Sequence, residues 1–287
     1  MGKKPGLRHQ KMNSELIEKK QLLISALKPL KSLAVAFSGG VDSTLLLTVA
    51  SQVLDQNVIA VTSESVIHPG CESQIATGFT KKQGIKHLVI KTGEMNNPAF
   101  LANNADRCYI CKKELFSEIK KKASALGISD VAHGANVDDL KDFRPGFAAA
   151  HEMKICAPLI DAGLTKHDVR MLLKNMGLEV WNRPSMPCLA TRIPYGTKIT
   201  EKKLKITDQA ENFLKTAGLK ICRVRHHGEI ARIETGPDEF EKIMDEKTRI
   251  RVVKKFREIG FLHIALDLEG YVQGSMNRSV PVCEEQI

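Results

Sequence analysis

The chain has no apolar run approaching the ~18 residues that a membrane-spanning helix requires, so no such helix is expected. Residues 1–21 are rich in lysine and contain no apolar stretch of the secretory-signal kind, which makes a cytoplasmic protein the expectation. Aromatic residues are scarce, 5% of the chain with one Trp and three Tyr. Little is therefore available for stacking on unpaired bases, which argues against a dedicated RNA-binding module. No internal repeat or low-complexity segment is visible, which sets repeat architectures aside. The seven cysteines are odd in number and come without a secretory signal. Structural disulfides are not expected, and clustered cysteines point to metal binding or catalysis.

What is present suits a large domain plus a small one: 287 residues, 43% hydrophobic and 26% charged. The net charge of +10 favours polyanions such as RNA, nucleotides and pyrophosphate, although the lysines are spread along the chain and many belong on solvated helix faces. Short apolar runs at 31–37, 57–62, 86–91 and 130–133 read as buried strands. Helical patterns at 14–27, 41–54, 71–83 and 109–126 alternate with them, the last stopped by Gly127. Strands alternating with helices predict an α/β fold with a doubly wound parallel sheet. Around Ile199 the pattern changes to a helix at 201–217 and paired strands at 220–225 and 230–234, joined by a turn at His226-His227-Gly228-Glu229. Two helical stretches and a last strand at 262–268 complete a small α+β unit. The boundary is expected at 195–200, giving domains 1–198 and 199–287.

The most informative segment is Ala36-Phe37-Ser38-Gly39-Gly40-Val41-Asp42-Ser43, between a strand and a helix. Glycines let the backbone turn tightly and bring its N–H groups to an anion, and the helix N-terminus adds donors and a favourable dipole. The Ser38 and Ser43 hydroxyls suit phosphate oxygens, and Asp42 suits orienting the loop or holding Mg2+. The terminal Gly-Lys-Ser/Thr of a Walker A loop is missing.

Cys108 and Cys111 form a C-x-x-C at the start of the helix expected at 109–126, with both sulfurs on one face. Cys188 lies in a proline-bounded loop, Pro184 to Arg192, where an accessible thiol is expected. Three thiols without an obvious fourth ligand leave three readings open. One is a 4Fe-4S cluster with one iron free to take an external sulfide. The others are a zinc site lacking a ligand, and dithiol chemistry. Cys156 and Cys222 read as small buried hydrophobes, Cys71 as a residue of an amphipathic helix, and Cys283 as part of the tail.

The SGG-x-DS loop resembles that of the PP-loop, or ATP pyrophosphatase, superfamily. That resemblance implies cleavage of ATP between its α and β phosphates, with pyrophosphate held by the loop and the segment Val61-Thr62-Ser63 near adenine. Further segments narrow the likeness: Gly134-Ala135-Asn136-Val137-Asp138-Asp139, Asp142-Phe143-Arg144-Pro145-Gly146, Cys188 with Arg192-Ile193-Pro194-Tyr195-Gly196, Arg223-Val224-Arg225-His226 and Ala231-Arg232-Ile233-Glu234. Together they resemble the LarE family of ATP-dependent sulfur transferases that mature a nickel-pincer nucleotide cofactor. The resemblance implies adenylylation of a carboxylate of pyridinium-3,5-biscarboxylic acid mononucleotide, then displacement of AMP by sulfur. It implies a 4Fe-4S cluster on Cys108, Cys111 and Cys188, in place of a single Cys188 that gives up its own sulfur. It also implies a sulfide or other sulfur donor and a closed homo-oligomer, a hexamer. Arg144, Arg192, Arg223 and Arg225 are candidates for the substrate or AMP phosphate, because a guanidinium fork suits phosphate oxygens. Asp138 and Asp139 suit either Mg2+ or helix capping, and His226 and His227 are assigned to the hairpin turn. Three rivals remain: a tRNA thiolase of the same superfamily, which the positive charge suits; an ammonia-using ligase, which leaves the three cysteines without a role; and a nucleotide-binding sensor without turnover.

Overall fold

The computed structural model describes residues 14–141 and 145–279. Its centre is a four-stranded, all-parallel sheet in the order β3-β2-β1-β4, with β1 at Leu33–Ala36, β2 at Val58–Glu64, β3 at Lys86–Lys91 and β4 at Asp130–His133. The fold is α/β. β1 is buried and lies between β2 and β4, so the chain runs outward on one side through β2 and β3 and then returns to β1's other side as β4. That reversal opens a crevice beyond the carboxyl ends of β1 and β4, where such sheets bind ligands.

The helix Val41–Leu54 follows β1, and ten of its fourteen residues are buried. A helix that is apolar nearly all round must be covered on every side. Here the sheet covers one side, while the helices Ser14–Leu27 and Lys166–Asn175 cover the other. The second of these starts with a capping box, Thr165 with Asp168, and Lys19 of the first donates to Asp168 at 2.9 Å.

A smaller sheet lies in the C-terminal region. β5 (Cys222–His227) and β6 (Ile230–Thr235) form an antiparallel hairpin, and β7 (His263–Leu266) pairs parallel to β6. The turn is confined to Gly228 and Glu229, so His226 and His227, expected in the turn, are strand residues instead. Gly228 has a φ of +67°, the left-handed conformation that permits so short a reversal. Val224 and Ile233 of this sheet join Leu214, Val252 and Phe256 of two covering helices, Glu201–Thr216 and Glu246–Ile259, in one apolar cluster. Arg223 and Arg225 alternate with Val224 and so point to the opposite face, yet both are buried. The amino end of the Glu201–Thr216 helix contributes Leu204 to another cluster, which contains Ile67, Phe100, Leu189, Ala190 and Ile193. This helix thus ties the small sheet to the segment that carries Cys188. No helix among the described residues is long and apolar enough to cross a membrane.

Candidate active site

The SGG-x-DS loop, the candidate phosphate loop, leaves β1 where Phe37 N–H still donates to Val61 at 2.8 Å. Gly39 has a φ of +71°, and a Cβ placed there would meet Ile75 Cγ2 at 3.0 Å and the Ala76 backbone nitrogen at 3.3 Å. Both the turn and the close approach require glycine. Gly40 N–H donates to Ser38 Oγ at 3.3 Å, and the Ser38 and Ser43 hydroxyl oxygens stand 3.3 Å apart. The loop therefore gathers two hydroxyls and an N–H at a helix amino end, as a phosphate site needs. Asp42 accepts from Asn136 Nδ2 at 3.1 Å and from the Lys166 ammonium. The crevice is tight on the β4 side, because a Cβ on Gly134 would lie 2.7 Å from Ser43 N.

Thr62 and Ser63 lie near the end of β2, but their hydroxyls are engaged inside the protein. Thr62 Oγ1 donates to Phe37 O at 2.7 Å and touches His87 Nε2 at 2.7 Å, while Ser63 Oγ meets Thr92 Oγ1 at 2.7 Å. The role of these two hydroxyls in this structure is to tie β1, β2 and the end of β3 together. Asp138 Oδ2 accepts from Lys166 N–H at 2.8 Å, and Asp139 Oδ2 accepts from Asn136 N–H at 3.0 Å. Both carboxylates thus serve local backbone groups beside the loop.

Cys108 and Cys111 sit in the first turns of the helix Arg107–Ala125, which starts two residues earlier than the sequence pattern suggests. Cys188 precedes a short turn at Leu189–Arg192. A buried clip joins the two segments. Asn103, at a φ of +59°, donates through Nδ2 to the carbonyls of Pro194 (2.8 Å), Thr197 (2.9 Å) and Ile193 (3.3 Å). Arg107 donates to Asn103 Oδ1 and to Ala190 O at 3.1 Å, and its guanidinium lies 4.5 Å from the centre of the Tyr195 ring. Cys111 and Cys188 pack against one apolar cluster. Burial, with Cys188, Glu94 and Cys108 nearby, pushes the Cys111 thiol up to about 12 against the opposing charge of Lys112. Burial and then Cys108 push Cys188 up as well, with Arg107 and Arg192 opposing. Cys188 is half-buried, where an accessible thiol was expected.

Three thiols from two segments suit an iron–sulfur group in number and chemistry. Their spacing in this conformation does not yet form a binding group: among the described residues, no three His, Cys, Asp or Glu side chains are arranged to hold a metal ion.

The arginines are the clearest departure from expectation. Arg192 is 1% exposed and its donors are all engaged. Nε and Nη2 grip Glu211 at 2.8 and 3.0 Å, and Nη1 reaches Pro187 O (2.7 Å), Thr191 Oγ1 (2.9 Å) and Cys188 O (3.1 Å). It holds the Cys188 loop, and each of its three nitrogens is committed there or to Glu211. Arg225 grips Glu234 at 2.9 and 2.6 Å and reaches Thr191 O at 3.1 Å. Arg223 donates to Cys222 O at 2.8 Å and to Ser185 O at 2.5 Å, and lies 4.9 Å from the centre of the Tyr271 ring. Its buried Nε–H has no partner among the described residues. Burial first, then the charge of Arg192, lowers the affinity of Arg223 for its proton. Arg144 lies outside the described residues.

No family model matches the chain. Over 263 residues, 91% of this chain and 95% of the relative, it is 33% identical to the pyridinium-3,5-bisthiocarboxylic acid mononucleotide synthase of Lactiplantibacillus plantarum. The chain belongs to the LarE family. Two other relatives share most of its length. An uncharacterized protein of Synechocystis is 41% identical over 244 residues, 85% of this chain and 91% of its own. One from Methanocaldococcus jannaschii is 31% identical over 241 residues, 84% of this chain and 91% of its own.

In this LarE-family chain several site residues escape a reading by motif. Lys166 left one usable signal: a lysine in the first turn opposes the helix dipole, so a nearby anion is implied, and the structure supplies Asp42. Asn103 and Arg107 left none, because the carbonyls they hold lie more than 80 residues away. Arg183, which donates to Gly39 O at 2.9 Å, is likewise 144 residues from its acceptor.

Proposed function

We propose that this chain is an ATP-dependent sulfur transferase that acts on pyridinium-3,5-biscarboxylic acid mononucleotide and makes the thiocarboxylate named in its Lactiplantibacillus relative. A substrate carboxylate oxygen attacks the α-phosphorus of ATP, the bond to the bridging oxygen breaks, and pyrophosphate leaves into the SGG-x-DS loop. A sulfur nucleophile then attacks the acyl carbon and AMP departs. A carboxylate is a poor electrophile, and the adenylate supplies its leaving group. Gly40 N–H with the Ser38 and Ser43 hydroxyls receives the pyrophosphate charge, Lys166 holds Asp42 in place, and Asp42 is the carboxylate available to Mg2+. Cys108, Cys111 and Cys188 would hold a 4Fe-4S cluster, which supplies an open iron for sulfide when bound. A homo-oligomer belongs to the same reading.

The observation that carries the proposal is a single short segment. Arg183 touches the SGG-x-DS loop, and Cys188 follows five residues later, so its Cα lies within about 18 Å of the Arg183 Cα even if the chain between is fully extended. That reach supports a reading in which activation and sulfur delivery share one mouth. The test is anaerobic purification with iron and sulfide analysis, followed by incubation with ATP, the pyridinium dicarboxylate and sulfide. Release of pyrophosphate and AMP with a product of the mass of an oxygen-to-sulfur exchange is the expected result. ATP turnover without the sulfur-containing product would remove the transferase reading.

A further inference from the structure

We infer that Arg183 is a positioning residue that sets the orientation of the Gly39–Gly40 peptide and so makes the phosphate loop competent to bind an anion. The inference rests on the ATP-dependent reading of the site and adds a residue to it. In a trans peptide the C=O and the following N–H point in opposite directions. Arg183 Nη1 holds Gly39 O at 2.9 Å, and Gly40 N–H therefore points the other way, to the side where Ser38 Oγ lies at 3.3 Å. That is the side on which the two serine hydroxyls converge. Rotation of this peptide changes ψ of Gly39 and φ of Gly40, and glycine tolerates the flipped values at both positions. Backbone sterics alone do not choose between an N–H and a C=O facing the incoming phosphate. A carbonyl there would repel it. Arg183 makes the choice.

Arg183 is itself held in register. Arg170 donates to the carbonyls of Trp181 and Arg183, the latter at 2.8 Å. Arg183 pairs with no carboxylate among the described residues, so its charge is not drawn away from the loop carbonyl.

The experiment measures binding of ATP and of inorganic pyrophosphate by calorimetry in wild type, Arg183→Met and Arg183→Lys. It adds glycine-selective 15N amide spectra of the ligand-free proteins and thermal midpoints. Arg183→Met should weaken both ligands by about 10–100-fold, the scale of a hydrogen bond with a charged donor. It should raise KM for ATP more than it lowers kcat, shift the Gly40 amide resonance before any ligand is added, and leave the midpoint near wild type. Arg183→Lys, which retains a charged donor, should recover most of the affinity. Wild-type affinity in Arg183→Met would overturn the inference. So would weakened binding with an unmoved Gly40 resonance, which would mean direct contact with phosphate. Failure of the wild type to make a sulfur-containing product while still binding ATP would count against the transferase reading only, and failure to bind ATP at all would count against both.

Discussion

The phosphate loop and the Cys188 loop are built by opposite means. The phosphate loop is local: its turn, N–H donors and hydroxyls all come from Ser38 to Ser43, and glycine at position 39 satisfies the close packing on Ile75 and Ala76. The Cys188 loop has one short local turn, Leu189–Arg192, and is otherwise held largely by side chains. Its carbonyls at Ser185, Pro187, Cys188 and Thr191 are held by Arg223, Arg192 and Arg225, with Glu211 and Glu234 balancing two of the three charges. A buried charge is costly unless paired and hydrogen-bonded, so these arginines are stable only in the finished fold. The donors of the Ser38–Ser43 loop come from a few adjacent residues, and Arg183 reaches them from 144 positions away. The half-buried Cys188 sits in a loop held from as far as 83 positions away, by Arg107 at Ala190.

The sharpest way to separate the two loops is through the cysteines. Alanine at Cys108, Cys111 or Cys188 should abolish sulfur transfer and lower iron content while leaving pyrophosphate release largely intact. Iron analysis and product mass spectrometry on each variant decide it. If only Cys188→Ala loses transfer, the cluster reading gives way to one in which Cys188 supplies its own sulfur.

Next in size is the charge pair beneath the Cys188 loop. Glu211→Ala leaves Arg192 buried and unpaired, and should destabilise the protein by about 3–5 kcal/mol. Denaturant unfolding gives the value, and the loss should exceed that of Asp42→Ala, because Asp42 and Lys166 are only part-buried. A smaller loss for Glu211→Ala than for Asp42→Ala would erase the contrast drawn between the loops.

On the activity side, Asp42→Ala or Ser43→Ala should lower pyrophosphate release by roughly 100–1000-fold without unfolding the protein, the scale of losing one preorganised group at a developing charge. Release near the wild-type rate would show that the local loop is not the phosphate site.

At neutral pH the smallest effect is a pH dependence, which is felt only toward the extremes. With Cys111 raised by burial from 9.0 to about 12, the folded state keeps a proton that the unfolded chain gives up. Its contribution is fully present below pH 9 and is lost as the pH rises toward 12, by up to about 1.4 kcal/mol per unit. His133 acts at the other end. Burial first, and then Lys112, lowers it from 6.5 to about 4, so stability falls as the pH drops through that range. Unfolding titrations of Cys111→Ala and His133→Phe should each flatten one flank of the stability profile.

Most of the fold was legible because it is periodic. The helix expected at 41–54 occurs as Val41–Leu54, and the strands expected at 86–91 and 130–133 occur as Lys86–Lys91 and Asp130–His133. The hairpin shows where pattern reading stops: His226 and His227 look like turn residues beside Gly228, but pairing with Ala231 and Ile230 keeps them in β5. The arginines show a deeper limit. Arg192, Arg223 and Arg225 were legible as a set of cations near a loop, and phosphate was the natural partner to expect. That Arg192 instead grips Glu211 and the Cys188 carbonyl depends on a side chain 19 residues away and on complete burial.

By itself the sequence determined the alternation of strands and helices, the strand–turn–helix geometry of the SGG-x-DS segment and the pairing of Cys108 with Cys111 on one helical face. Each of these depends on interactions within a few residues, which spacing and residue type express directly. Only the tertiary structure decided that β4 closes on the phosphate loop at Gly134, that Lys166 and Arg183 meet it, and that Asn103 and Arg107 fasten the Cys188 loop to the cysteine helix. Those contacts join residues some 80 to 144 positions apart. Their partners are chosen by burial and by the requirement that each buried polar group be satisfied, conditions that exist only once the chain has folded.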